Sequence, residues 1–290
     1  MHRAHLGSSR VTVANPSLVP PIRGAFYFPW YPNGWDQLGY TPFTRYTPTL
    51  GAYYDQAVPT ILQQHLAWAK YANIDVLIPT WRGEPGGSGI SVTTFGSGHA
   101  HMDTKIGHLL DQALQHGMKV AVYYEVEGYA DPTQAQIEAE FAYLETRYFG
   151  HPAYCHVGGL PVIFVYSPGE GSTMLARYSG ATSGYTTAYI NAIYNNGSTP
   201  EPQGRHSFTA DAVTITGNGY TIVPGFWRID EANPRLARNL TTWQTNIASM
   251  VASGKDWQLI ISWNEWGEGS QVEPNVELGS AYLDALAAVP

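Results

Sequence analysis

Two carboxylic acids that stand three residues apart, Glu265 and Glu268, are the strongest chemical signal in this sequence. They follow a short apolar run, 259–261, that is typical of a buried strand, and Trp263 and Trp266 stand beside them. A carboxylate next to large aromatic surfaces is costly to bury unless it is paired, hydrogen-bonded or protonated. The combination therefore favours a catalytic pair at the end of a strand. The alternative is that both acids face water or cap the next helix.

Polar and aromatic side chains also follow the other predicted strands. Because the ends of parallel strands in a barrel converge on the face that carries the active site, we expect these side chains to meet. Aromatic rings stack on the C–H faces of sugars while acids and amides bind the hydroxyls, so the set favours a carbohydrate site. Glu125 and Glu127 alternate along the chain, and Glu125, nearer the strand end, is predicted to point inward. The strand-end residues are Tyr31, Trp35, Trp81, Glu125, Tyr166, Trp227 and Glu265.

These side chains need a scaffold, and the hydrophobic periodicity of the chain predicts alternating strands and helices. Such alternation indicates a parallel sheet, which a chain of 290 residues most often closes into a barrel. We predict an α/β fold, a single-domain (β/α)8 TIM barrel over 24–290 with long loops at the C-terminal face of the strands, after an N-terminal extended arm over 1–23. The predicted strands are 24–28, 76–78 (ended by Pro79), 118–124, 161–166, 185–194, 212–216, 222–227 and 257–262, and the predicted helices are 55–71 (with Asp55 as N-cap), 102–116, 132–148, 239–253 and 278–288.

The composition limits the classes of partner. A net charge of −8 without a basic stripe argues against nucleic acid, and no apolar run is long enough to span a membrane. A single cysteine, Cys155, excludes an intrachain disulfide and is predicted to be a buried thiol. The polar, aromatic composition favours a secreted or extracytoplasmic protein, although no leader is visible in 1–21. The sequence has no exposed apolar run that would indicate an oligomer interface, so we expect a monomer.

Other catalytic chemistries have weaker signals. His99, His101 and Asp103 are possible metal ligands, but their glycine-rich setting gives no fixed geometry, and a helix N-cap at Asp103 explains the pattern equally. The glycine-rich segment 83–89 lacks the Gly-Lys-Ser/Thr end of a phosphate loop, and the chain has no Gly-x-Ser-x-Gly elbow. We therefore expect no metal and no cofactor.

Three segments of the chain resemble glycoside hydrolase family 99 and its WbsX-like relatives. They are F-Y-F-P-W-Y at 26–31, I-D-V-L-I-P-T-W at 74–81 and W-N-E-W-G-E-G-S-Q-V-E-P at 263–274, and the resemblance extends from about Gly24 to Pro274. The family contains endo-α-mannosidases and endo-α-mannanases built as (β/α)8 barrels. The WbsX-like relatives are described as polysaccharide-biosynthesis proteins.

The resemblance implies a reaction and a role for particular residues. Glu268 matches the family's general acid/base, and Glu265 matches the carboxylate that assists the substrate's own 2-hydroxyl in attacking the anomeric carbon. The family's route is retaining, passes through a 1,2-anhydro sugar and requires no metal. The remaining residues predicted to bind an oligo- or polysaccharide substrate, by this resemblance or by their place after a strand, are Tyr31, Trp81, Glu125, Tyr166, Trp227, Asn264 and Trp266.

The chain departs from the family's pattern in two places. The mannosidases usually carry histidine where this chain has Gly267, and the Pro-Tyr continuation expected after Glu125 is missing. Both positions bear on the substrate. The family's fold and reaction type are therefore more reliable expectations for this chain than its preference for mannose. Three alternatives stay open: a transferase or polysaccharide-processing protein on the same scaffold, a catalytically silent glycan-binding barrel, and a barrel of unrelated activity. A diphosphate site for an activated sugar donor is not visible in the sequence.

Overall fold

The structure is a computed structural model that describes residues 15–51, 53–85, 98–126, 131–166, 172–183, 189–193 and 204–290. It contains the predicted alternation of strands and helices, with the segment 119–124 divided into two short strands. The strands are Ile22–Tyr27 (β1), Val76–Trp81 (β2), Lys119–Val120 (β3), Val122–Tyr124 (β4), His156–Val157 (β5), Leu160–Val165 (β6), Tyr189–Ile193 (β7), Gly204–His206 (β8), Val213–Thr216 (β9), Gly219–Ile222 (β10) and Trp257–Ile260 (β11).

One sheet joins all these strands, in the order β8-β7-β6-β4-β2-β1-β11-β10-β9. Every neighbouring pair from β8 to β10 is parallel, which confirms the α/β prediction. Strand β9 forms an antiparallel hairpin with β10, and β5 pairs antiparallel with β6. The two ends of the order also approach each other, because the Arg205 backbone N–H on β8 donates to Asn218 Oδ1, beside β10, at 2.9 Å.

Local sequence explains where the helices begin and end. Thr133 and Gln136 form a reciprocal capping box, Asn239 accepts from the Thr242 N–H, and Gly117 ends its helix with φ +63°. The helices are Pro59–Tyr71 (α1), Gly98–His116 (α2), Gln134–Leu144 (α3, continued by a π-helical turn Glu145–Phe149), Ser172–Ser183 (α4), Leu240–Ala252 (α5) and Ala281–Ala287 (α6).

Several predicted boundaries were wrong. Helix α1 begins at Pro59 after the N-cap Val58, because proline is well suited to the first helical position, and Asp55 instead accepts from the Ala57 N–H. Strand β2 continues through Pro79, which pairs with Tyr27, because a proline removes only one donor from the ladder.

The last two predicted strands were also placed incorrectly. The strand predicted over 222–227 shares only Ile222 with β10, and β11 ends at Ile260, two residues before the predicted end. Residues 223–227 and 261–262 therefore belong to loops, although all of them except the half-buried Trp227 are buried like strand residues. Burial in these loops produces the apolar runs that the sequence analysis interpreted as strand.

The sheet is buried on both faces. Tyr123 packs with Phe26 and Phe164 on one face, whereas its neighbour Tyr124 packs with residues of the helices on the other. Cys155 is buried and free, as predicted. A strand covered on both sides shows an almost continuous apolar run, so the sequence does not reveal which residue faces which layer.

Some predictions concern residues outside the described ranges. They are residues 1–14 of the arm, Glu127, and the side chains of His99 and His101. Strand β1 begins at Ile22, within the predicted arm. Among the residues that the structure describes, no helix combines the length and apolarity needed to cross a bilayer.

Candidate active site

The two predicted catalytic acids lie together on the loop that follows β11. A single 3₁₀ turn, Trp266–Glu268, carries the chain from one carboxylate to the other, and Gly269 ends it at φ +62°. The Ser262 hydroxyl accepts from the Glu265 N–H at 2.8 Å, and the Glu268 carbonyl accepts from the Trp227 N–H at 2.8 Å. These bonds hold the turn from both sides, so that both carboxyl groups line one cavity.

The cavity has a volume of about 200 Å³ and a lining of mixed chemistry. The smallest pockets that enclose drug-sized ligands measure about 300 Å³, so this volume suits a group the size of one sugar ring. The loop after β1 contributes mainly apolar and aromatic side chains, and the loops after other strands contribute charged ones. The lining residues are Trp30, Tyr31, Gln37, Leu38 and Phe43 from the loop after β1, and Arg82, Arg228, Glu265, Gly267 and Glu268 from the other loops.

Burial shifts both carboxyl groups toward their protonated forms, and the neighbouring acids add to the shift of Glu265. Burial, followed by the nearby charges of Glu268 and Glu125, holds the pKa of Glu265 well above its usual range. Burial raises the pKa of Glu268 to about 7, against an opposing hydrogen bond from Glu265. The two buried carboxyl groups therefore influence each other's titration, and burial favours the protonated form of each.

Glu125 completes a group of three acids and carries its own counterion. Arg82 Nε donates to Glu125 Oε2 at 3.1 Å, and both side chains are almost fully buried. The Arg82 guanidinium also lies over the Trp30 ring, 5.0 Å from its centroid. Its charge opposes the rise in the pKa of Glu265. The structure thus brings Glu125 to the site, as predicted, together with an arginine.

Tyr31 and Tyr166 also lie at the site. The Tyr31 hydroxyl accepts from the Trp266 N–H at 3.2 Å, and the ring lines the cavity. Burial, then the charges of Glu125, Glu268 and Glu265, raise the pKa of the half-buried Tyr166. Tyr31 thus lines the cavity, whereas Tyr166 does not line it and is connected with the acids only through their charges.

Asn264 is engaged by the protein backbone. Its Oδ1 accepts from the Phe28 N–H at 2.8 Å, and its Nδ2 donates to the Phe28 carbonyl at 3.0 Å. The side chain is fully buried and does not line the cavity. Asn264 thus joins the end of β1 to the loop that carries the acids.

Three predicted tryptophans do not line the cavity. Trp81 packs in the helix-side core, where its Nε1 donates to Asp103 Oδ1 at 3.1 Å. The Trp266 indole donates to Tyr54 and Glu273 in the aromatic cluster that also contains Trp35 and Tyr31. Trp227 contacts the site through its backbone, while its ring lies under the Arg45 guanidinium at 4.1 Å.

The sequence analysis missed four residues that shape the site. Arg82 carried a usable signal, because a charged residue directly after a buried strand has to be paired. Arg228 and Phe43 had no such signal, because long loops bring them to the cavity. Glu273 is fully buried next to the 3₁₀ turn Trp266–Glu268, and its carboxylate accepts from Trp266 Nε1 at 3.2 Å and Tyr54 Oη at 2.8 Å.

The predicted N-cap role of Asp103 is wrong. Helix α2 begins at Gly98, so Asp103 lies in its second turn and is buried. Its carboxylate accepts from Tyr143 at 2.7 Å and Tyr148 at 2.6 Å, as well as from Trp81. Within the described ranges, no cluster of three or more histidine, cysteine, aspartate or glutamate residues is placed to hold a metal ion.

Comparisons with known families match two parts of the chain. A model of glycosyl hydrolase family 99 matches residues 31–183, and a model named glycosyltransferase WbsX matches residues 228–286. No curated protein matches the sequence.

Solved structures match nearly the whole chain. A family 99 endo-α-mannosidase from Bacteroides thetaiotaomicron, in complex with bis-tris propane, has a TM-score of 0.67 at 21% identity, over 92% of this chain and 95% of that one. A second structure of that enzyme, at 19% identity, has the same score and coverage. A glycoside hydrolase-like protein has a TM-score of 0.62 at 13% identity, over 98% of this chain and 97% of that one. At these identities the likeness concerns the fold.

Proposed function

Since the chain belongs to glycosyl hydrolase family 99 and is thereby a glycoside hydrolase, we propose that it cleaves an α-linked glycan with retention, using Glu265 and Glu268. The observation that carries the proposal is the pair itself: two buried carboxyl groups with raised pKa values, lining one cavity. Glycosidases use two carboxyl groups at the bond that breaks, one of which must carry a proton at the working pH.

The mechanism that the family resemblance implies fits these groups. Glu265 accepts the proton of the sugar's 2-hydroxyl while that oxygen attacks the anomeric carbon, and Glu268 protonates the departing glycosidic oxygen. The product is a 1,2-anhydro sugar. Water then opens it: Glu268 takes a proton from the water that attacks the anomeric carbon, and Glu265 returns its proton to the 2-oxygen. Two inversions at one carbon give net retention, and both acids regain their starting states.

The proposed reaction starts with the proton on Glu268. Burial raises the pKa of this group to about 7, so at pH values below about 7 it carries the proton that the departing glycosidic oxygen needs.

The surrounding residues support a sugar as the ligand. Trp30, Tyr31 and Phe43 offer apolar surface to its C–H face, and Arg82 with Glu125 offers polar contacts beside the acids. For mannose as the sugar, and for cleavage inside the glycan chain, the structural support is the likeness to the named endo-α-mannosidases. We further propose that β8 and the β9–β10 hairpin close the sheet into a (β/α)8 barrel, and that the protein is secreted and monomeric.

The deciding experiment measures product release from a panel of α-linked glycans, including α-mannans. We expect wild type to cleave at least one of them, and Glu265→Gln and Glu268→Gln to lose at least about a thousandfold in turnover, because each removes a proton-transfer step. Glu145→Gln, at an exposed helical turn, is the matched control and should keep wild-type activity. Proton NMR of the first-formed product should give the α-anomer.

Other outcomes would replace the proposal. Binding of a glycan without turnover, equal in wild type and both variants, indicates a silent glycan-binding barrel. Turnover that requires an activated sugar donor indicates a transferase, as the WbsX match over 228–286 would suggest. A first-formed β-anomer would exclude the retaining route.

A further inference from the structure

Phe43 occupies the space in which a side chain at position 267 would lie. A Cβ built on Gly267 would be 2.6 Å from Phe43 Cδ1 and 2.7 Å from Phe43 Cε1, which is closer than real Cβ atoms approach other carbons. Gly267 stands between Trp266 and the acid Glu268 on the catalytic turn. The ring of Phe43 therefore rests directly on the backbone of that turn.

The position of Phe43 is fixed from several sides. Its backbone N–H donates to the Trp35 carbonyl at 2.7 Å, and the Arg228 guanidinium lies 5.7 Å from the centre of its ring. Two residues later, Arg45 donates to the carbonyls of Arg228 at 2.8 Å and Ile229 at 3.0 Å. The loop after β1 is thus fastened to the loop after β10, with Phe43 held against the cavity.

The ring of Phe43 offers a ligand no hydrogen-bonding group. The neighbouring Arg228 directs two of its five N–H groups at the oxygens of Asp230, at 3.0 and 2.8 Å, so any polar contact from this side comes from the guanidinium and not from the surface of the ring. A sugar hydroxyl pressed against the ring would lose its bonds to water without a replacement, which is unfavourable. A C–H face or a methyl group would lose nothing and would gain contact with the ring.

We propose that Phe43, seated on Gly267, is a specificity-determining residue of this site, and that the sugar bound against it presents carbon-bound hydrogens or a methyl group there, not a hydroxyl. This inference depends on the proposed glycosidase function. Gly267 contributes to the same specificity, because any side chain at position 267 would displace the Phe43 ring.

A double-mutant cycle tests the pairing without any substrate. We expect Gly267→Ala to lower the melting temperature in wild type through its clash with Phe43, and to lower it clearly less in a Phe43→Ala background, where the space is open. Additive changes in melting temperature would overturn the pairing.

A substrate series tests the specificity. The probes are a fluorogenic aryl α-mannobioside and its analogues that each lack one hydroxyl of the reacting mannose. For one analogue we expect wild type to have kcat/KM equal to or above that of the parent. Phe43→His keeps a flat ring but adds hydrogen-bonding nitrogens, so the ratio of that analogue to the parent should fall by about tenfold or more. Phe43→Leu, which keeps the wall apolar, should leave the ratio close to wild type.

The two proposals fail in different ways. If the ratio of kcat/KM for the analogue to kcat/KM for the parent is unchanged in Phe43→His, or changes equally in Phe43→Leu, the proposed role of Phe43 is wrong. The proposed hydrolase activity is not affected by that result. If wild type cleaves none of the series, the α-mannoside assignment is wrong, and the melting-temperature cycle decides whether Phe43 and Gly267 act as a pair.

Discussion

Arg82 and Glu125 form a buried ion pair, Nε to Oε2 at 3.1 Å, where the neighbouring strands β2 and β4 end. The last residues of these strands, Trp81 and Tyr124, are partners in the parallel ladder, so the residues that follow each of them emerge side by side. The pair places one positive charge beside three carboxyl groups. That charge limits how far the pKa of Glu265 rises.

Replacement of Arg82 by methionine should destabilise the protein and shift its pH profile. An unpaired buried carboxylate typically costs about 3–5 kcal/mol in the free energy of unfolding. Loss of the positive charge should also raise the pKa of the acid pair, so the alkaline limb of the kcat/KM profile should move to higher pH. Urea unfolding and a pH–rate profile measure the two effects.

The control for this prediction is Arg147→Met, which removes an arginine that is 55% exposed and lies 4.0 Å from Asp103. The buried Asp103 keeps its hydrogen bonds from Tyr143, Tyr148 and Trp81 in this variant, and an ion pair to a solvent-exposed arginine contributes at most about 1 kcal/mol, so stability should change little. An alkaline limb that stays in place in Arg82→Met would contradict the electrostatic role.

Glu268 should make the stability of the protein depend on pH. Its pKa is about 7 in the folded state, above the value of about 4.3 expected in an unfolded chain. Between these pH values the folded protein binds a proton that the unfolded chain does not, so the contribution of Glu268 to stability falls as pH rises and levels off above about 7. Glu268→Gln lacks this dependence.

The melting temperature of Glu268→Gln minus that of wild type should therefore increase from pH 5 to pH 8. Differential scanning calorimetry across this range measures the difference, with Glu145→Gln as the control at an exposed position. A difference that stays constant, or that decreases with pH, would show that Glu268 is not protonated in the folded protein near neutrality.

Asn264→Ala should act through structure more than through substrate binding. The substitution leaves the buried N–H of Phe28 without its partner, at a cost of about 1–3 kcal/mol, while the Phe28 carbonyl keeps Gln56 Nε2 as a donor at 2.9 Å. We expect reduced stability and a lower kcat with a nearly unchanged KM, because the turn that carries Glu265 and Glu268 loses its anchor. A rise in KM at unchanged stability would instead support the predicted contact with the sugar.

Glu273→Gln should weaken the support behind the catalytic turn. The carboxylate accepts from Tyr54, Trp266 and His65 Nε2, the last at 3.1 Å, and it is fully buried. An amide turns one acceptor into a donor that faces another donor, so we expect a loss of about 3 kcal/mol in the free energy of unfolding and a lower kcat. Glu277→Gln, an exposed residue of the same loop, is the matched control in urea unfolding. Equal stability of the two variants would contradict the supporting role.

The sequence was sufficient to predict the parallel α/β sheet and the proximity of Glu265 and Glu268. Apolar runs followed by polar residues mark the strands of a parallel sheet, and the strand ends of such a sheet lie on one side whatever the details of packing. The proximity of Glu265 and Glu268 also follows from local spacing, because one turn of chain separates them. Glu125 could be predicted for the same reason, since it directly follows a strand.

The directions of the tryptophans and the partners of the acids could not be predicted from the sequence. Strands buried on both faces have no visible alternation, so nothing in the local pattern shows that Trp81 faces the helices. Phe43 and Arg228 reach the cavity on long loops whose paths depend on contacts with each other. Local spacing determined which acids form the pair, and only the tertiary structure decided what surrounds it, because those neighbours come from chain segments that are distant in sequence.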